Sequence, residues 1–140
     1  MTDGLARVPG KNIILVADDE GTIVRMATTI LSGAGYRAIV VSNGVEGVEQ
    51  YRRFHEEICL VLTDVVMPGG GGLEMAQKIL EFDPAAKILF MSGYSDALLE
   101  VQAQKKFPLI RKPFLPADLL RKINEVVGPA DDLGAGAGAV

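Results

Sequence analysis

The chain has 140 residues, about one domain's worth of polypeptide, with 49% hydrophobic and 23% charged residues, which excludes a disordered or collagen-like chain. Fourteen Lys and Arg against 18 Asp and Glu leave a net charge of −4, so the chain lacks the basic footprint of a nucleic-acid binder. Its longest apolar runs, Ile13–Ala17 and Ile58–Leu62, fall far short of the roughly 20 residues that span a membrane.

Along the chain, strand-like and helix-like patterns alternate. Asn12–Ala17 is a continuous apolar run, the pattern of a strand buried on both faces. Glu20–Ala34 places Ile23, Ala27, Ile30 and Leu31 at helical spacing and ends at Gly33 and Gly35. Tyr36–Ser42 is rich in β-branched residues and reads as a strand. A second helix starts at Asn43 or Gly44 and runs through Val45, Val48 and Tyr51. Glu57–Thr63 is another buried strand, followed by a Gly- and Pro-rich loop, Asp64–Gly72. Leu73–Phe82 reads as a helix with Leu73, Ala76, Ile79 and Leu80 on one face, and Asp83-Pro84 marks the turn after it. Lys87–Met91 is a fourth strand, Asp96–Lys105 a helix and Leu109–Arg111 a short fifth strand. Pro116–Val127 is a last helix with Leu119, Leu120, Ile123 and Val127 inward.

Five strands alternating with helices imply a parallel sheet covered on both faces. The domain is expected over residues 11–127, with residues 1–10 frayed and the Gly/Ala-rich residues 128–140 a flexible tail. The single cysteine, Cys59, has no partner for a disulfide and lies in an apolar run, as a small core residue in a reducing compartment would. His55, four residues earlier, does not complete a catalytic arrangement with it. The first residues carry no apolar signal-peptide core, so a cytoplasmic location is expected.

In open parallel sheets, ligands bind beyond the carboxyl ends of the strands. Asp18, Asp19 and Glu20 follow the first strand, Asp64 the third, Ser92 the fourth and Lys112 the fifth. Asp18, Asp19 and Asp64 would place like charges together, which is costly unless a cation neutralises them, and hard oxygen ligands suit Mg²⁺. Lys112 and the Ser92 hydroxyl could then hold two oxygens of a phosphoryl group carried on a carboxylate, as in aspartyl phosphate. Taken singly, each residue also has a plainer reading. Asp18 and Asp19 suit a helix cap, Ser92-Gly93 suits a turn, and Lys112 suits a solvated surface. Gly69–Gly72 lacks the spacing of a phosphate-cradling GxxxxGK[ST] loop and reads as a flexible loop. Met67 and Met91 read as packing residues.

Four segments, LVADDE (15–20), LTDVVMPGGGG (62–72), FMSGY (90–94) and RKPF (111–114), resemble the receiver domain of two-component response regulators in order and spacing, over about residues 11–127. The resemblance implies a flavodoxin-like (βα)5 doubly wound parallel sheet of strand order 2-1-3-4-5. It implies Asp64 as phosphoacceptor, Asp19 as direct Mg²⁺ ligand (Mn²⁺ in its place), Asp18 as a ligand through water and the backbone carbonyl of Val66 as the remaining protein ligand. Ser92 corresponds to the hydroxyl that contacts the phosphoryl group and moves on activation, and Lys112 to the lysine on the phosphoryl oxygens, with the Lys112-Pro113 bond expected cis. A histidine kinase or phosphotransfer protein would donate the phosphoryl group in a phosphorelay. The domain would catalyse its own phosphorylation and slow hydrolysis without turnover on a separate substrate.

Two departures stand out. The family's switch aromatic, three residues before the lysine, is Leu109 here, so output through the helix at 96–105 and the strand at 109–111 needs another route. Val66 and Tyr94 occupy the places where the family tunes dephosphorylation, and an apolar side chain and a bulky ring there would obstruct water. No DNA-binding or catalytic segment is expected beyond the receiver. The resemblance leaves the output partner unknown and offers the helix at 96–105 and the strand at 109–111 as a homodimer face. The alternatives are a receiver module cut from a hybrid histidine kinase and a phosphorylation-independent flavodoxin-like binding module. A phosphatase with an Asp nucleophile would want a second Asp where Val66 stands, and a flavin module would not place Asp18-Asp19-Glu20 where phosphate must sit.

Overall fold

All five residues of β1 (Ile13–Ala17) are buried, because this strand has a neighbour on each edge and a layer of helices over each face. The computed structural model describes residues 11–67, 71–93 and 107–128. Within them β1 pairs in parallel with β2 (Arg37–Val41) and with β3 (Ile58–Asp64). β3 pairs with β4 (Ile88–Ser92), and β4 with β5 (Leu109–Arg111). The strand order is β2-β1-β3-β4-β5, the doubly wound arrangement expected.

Alternation along the strands divides the core in two. Ile13, Leu15, Ala17, Val61 and Phe90 face α2 (Gly44–Phe54) and α3 (Gly72–Phe82), meeting Tyr51, Met75, Ala76 and Ile79. Ile14, Val16, Leu60, Leu62 and Leu89 face α1 (Gly21–Gly33) and α4 (Pro116–Val127), meeting Ile23, Ala27, Leu31, Leu119 and Ile123. Each fully buried leucine or isoleucine contributes about 1.5–3 kcal/mol, so these two layers hold the sheet whose rim carries the polar residues. The helix expected at 96–105 lies outside the described residues, as do the two termini.

Local chemistry accounts for the element ends. Gly35 takes φ 93° after α1, with its N–H on Ser32 O (3.1 Å) and the Tyr36 N–H on Leu31 O (3.0 Å), the two bonds of a Schellman stop. Asn43 caps α2 by accepting from the Glu46 N–H at 2.8 Å, and Glu46 reaches back to the Ser42 N–H at 3.2 Å.

Several readings of the sequence change. Of the residues that mark α2 in the sequence, Tyr51 is buried, Val48 packs on the core and Val45 is 69% exposed, because α2 rests on Gly44, Gly47 and Tyr51. A Cβ at Gly47 would stand 2.2 Å from the Met75 sulfur, so the small residue is what lets α2 and α3 meet. Cys59 is only half-buried, packed on the α1/α4 side of the core. It falls at a register shift, where Ile13 faces Ile58 but Ile14 faces Leu60. The Gly-rich segment after β3 gives up its last residue, Gly72, as the start of α3. Asp64 and Ser92 are the final residues of β3 and β4 rather than the first beyond them. No helix among the described residues is long and apolar enough to cross a membrane.

Candidate functional site

The strand ends on one rim of the sheet are joined by backbone hydrogen bonds. The Asp18 N–H donates to Val41 O (3.2 Å), the Val65 N–H to Met91 O (3.3 Å) and the Lys112 N–H to Ser92 O (2.8 Å). With β1 paired to β3, residues at all five strand ends are therefore held relative to one another by the sheet itself, which is a stiffer support than loops provide.

On this rim Asp18, Asp19 and Asp64 each offer a carboxylate oxygen, and the three atoms lie within 4.8 Å of one another. Two unit charges at that separation repel by about 3 kcal/mol at an effective dielectric constant of about 20, so the group needs a cation. Lys112 supplies one. Its Nζ lies 3.2 Å from Asp18 Oδ2, 3.4 Å from Asp64 Oδ2 and 3.7 Å from Glu20 Oε1. Burial opposes the charge on the Lys112 ammonium, but the carboxylates of Asp64 and Asp18 outweigh it and raise its pKa above the usual lysine value. The ammonium thus stays protonated throughout the neutral range. Its stabilising contribution is complete below the ordinary lysine pKa and is lost only in strong alkali, as pH rises through the folded value.

Asp18 is held at both ends, with Oδ1 accepting from the Glu20 N–H at 2.9 Å and Oδ2 from Lys112. Asp18 and Asp64 are buried while Asp19 is exposed. An all-oxygen donor set of this kind fits a hard divalent cation such as Mg²⁺. The Lys112-Pro113 bond is cis.

The family is decided by a match of the response regulator receiver domain to residues 14–124. The chain belongs to that family. The receiver protein CpdR of Brucella abortus (strain 2308) is 34% identical over 117 residues, covering 81% of this chain and 95% of its own. The chemotaxis protein CheY of Thermotoga maritima is 32% identical over 120 residues, covering 84% and 98%. Among solved structures, a receiver domain from Clostridium thermocellum superposes with a TM-score of 0.75 at 28% identity, covering 82% of this chain and 93% of that one. Receiver domains are two-component signalling modules rather than turnover enzymes. They bind Mg²⁺ at an acidic pocket and interact with histidine kinases and phosphotransfer proteins.

In this receiver domain the structure brings Asp18, Asp19, Asp64 and Lys112 together. Ser92 is buried at the neighbouring strand end, its hydroxyl donating to Gly93 O at 3.2 Å. Val66 is 43% exposed, two residues beyond Asp64. Leu109 is half-buried on β5, opposite Phe90, and packs on the α2/α3 side of the core. Tyr94 lies outside the described residues.

Two residues carry more than their sequence positions suggest. Glu20, the third acid of the run, reaches Lys112. Gly72 packs directly beneath the site. A Cβ there would stand 2.0 Å from the Asp64 carbonyl oxygen and 3.1 Å from the Thr63 hydroxyl, whose own bond is to Asp64 O at 2.9 Å. The Gly72 N–H also closes the segment by donating to Val65 O at 2.9 Å. The Asp64 backbone is therefore wedged between its own strand and the start of α3, and no sequence pattern distinguishes Gly72 from the glycines before it. Gly72→Ala should lower the unfolding free energy by about 1–3 kcal/mol, the usual cost of overpacking, measured by urea denaturation. Unchanged stability would show that the contact yields freely.

Proposed function

We propose that the protein is a Mg²⁺-dependent phosphoacceptor that takes a phosphoryl group on Asp64 from the phosphohistidine of a histidine kinase or phosphotransfer protein and switches a partner-binding surface. The observation that supports this most is the pairing of a three-carboxylate pocket with an ammonium 3.4 Å from one oxygen of Asp64. An Asp64 oxygen attacks phosphorus, the P–N bond to the donor imidazole breaks, and its electron pair returns to the ring nitrogen. Mg²⁺, when bound, supplies Lewis-acid stabilisation of the charge on the phosphoryl oxygens.

The remaining work falls to side chains of the chain itself. Asp19 is proposed as the direct metal ligand and Asp18 as a ligand through water, a division supported by the two protein donors that already occupy the Asp18 oxygens. The Val66 carbonyl is proposed as the further protein ligand. Lys112 trades its contact with Asp64 for one with a phosphoryl oxygen, which keeps a positive charge where negative charge accumulates. The Ser92 hydroxyl reaches the phosphoryl group by leaving the Gly93 carbonyl, and that rotation is the proposed start of the output switch. Leu109 cannot make the aromatic swing, so the change passes through β5 backbone and packing instead. A cytoplasmic site of action follows from the proposed donors.

Incubation with acetyl phosphate and Mg²⁺ should add one phosphoryl group by intact mass, and Asp64→Ala should abolish the gain. No gain in a folded, Mg²⁺-binding protein would favour the phosphorylation-independent binding module. Once formed, the phosphoryl group should persist longer in the parent than in Val66→Asn or Tyr94→Glu, because Asn or Glu at these two positions would offer attacking water a hydrogen-bonding partner that the apolar, 43% exposed Val66 does not. Equal or faster loss in the parent, followed by mass spectrometry after donor removal, would overturn that role.

A further inference from the structure

Lys112 has three carboxylate neighbours, and one of them differs from the others in kind. Asp18 and Asp64 are buried on strand ends, whereas the Glu20 side chain is 59% exposed at the mouth of the pocket, 3.7 Å from an ammonium that is itself only 12% exposed. Glu20 also supplies the N–H that fixes Asp18 Oδ1 at 2.9 Å. Backbone and side chain of one residue thus grip two members of the site. Glu20 occupies the N-cap position of α1 but makes no side-chain capping hydrogen bond, so its carboxylate is not committed to the helix.

We propose that Glu20 is a positioning and selectivity residue: it shares the Lys112 ammonium with Asp18 and Asp64, holds it back from incoming phosphoryl oxygens, and thereby disfavours small anionic phosphodonors. The inference rests on the phosphoacceptor reading above. A phosphoryl donor must displace one carboxylate from Lys112, and it must do so past a fixed negative charge at the entrance. That same charge attracts a divalent cation, so it acts with opposite sign on the two ligands of the pocket. A phosphoprotein donor, which brings its own docking surface, depends less on that electrostatic barrier than acetyl phosphate does.

The test compares the full chain with Glu20→Gln, which keeps the side-chain shape and the backbone N–H. Initial phosphorylation rates are followed by intact mass across a range of acetyl phosphate concentrations, at low and high ionic strength. Mg²⁺ binding is measured separately by calorimetry, without a phosphodonor. For one exposed charge pair the half-saturating acetyl phosphate concentration should fall about two- to fivefold in the variant, with the maximal rate little changed. The difference should shrink in high salt, where an exposed charge is screened. Mg²⁺ should bind less tightly to the variant. An unchanged half-saturation with parental phosphorylation intact, a difference insensitive to salt, or unchanged Mg²⁺ binding would each overturn the role given to Glu20. Absence of any phosphoryl gain in the parent would instead overturn the phosphoacceptor reading, and this inference with it.

Discussion

Three carboxylates gathered on one rim of a sheet repel one another, and the site depends on how that repulsion is balanced. Asp18 ends the run from β1, Asp64 ends β3, and Asp19 lies beside them within 4.8 Å. Without metal the balance falls to Lys112, whose ammonium sits 3.2 and 3.4 Å from the two buried aspartates. A pocket of this kind is a resting ion pair that a dication can break. In the proposed function the carboxylates would hold Mg²⁺ and Lys112 would turn to a phosphoryl oxygen, so that one lysine would serve both as counter-ion and as partner for the transferred group.

The rest of the fold serves to keep that arrangement stiff. Apolar residues on alternate sides of β1 and β3 fix the sheet between two helical layers. Backbone hydrogen bonds tie the strand ends together at the height of the charged groups. Gly72 brings the start of α3 against the Asp64 carbonyl, and Gly47 lets α2 close on Met75. Glycines thus set two close approaches, one beneath the Asp64 backbone and one between α2 and α3.

Much of this was legible in the sequence because it follows from periodicity. Ile13–Ala17 and Ile58–Leu62 can only be buried strands at that length, and the residues after parallel strands must share one rim, which is why Asp18, Asp64 and Lys112 were found together. What escaped was set by tertiary contact. The contact of α2 with α3 turns on Gly47, because packing against Met75 rewards the absence of a side chain. Cys59 slips partly outward at a register shift that no local pattern announces. Glu20 belongs to the site only because the β5 end carries Lys112 across to β1, a contact between residues far apart in the chain.

The most direct measurement is the affinity for Mg²⁺, by calorimetric titration, of the parent protein and of Lys112→Met, with circular dichroism to confirm that both are folded. If the lysine is the internal counter-ion of the carboxylate pocket, its removal leaves the metal without a competitor, and Mg²⁺ binds the variant more tightly. Equal or weaker binding in a folded variant would contradict the account, since the carboxylates would then not depend on Lys112 for their balance.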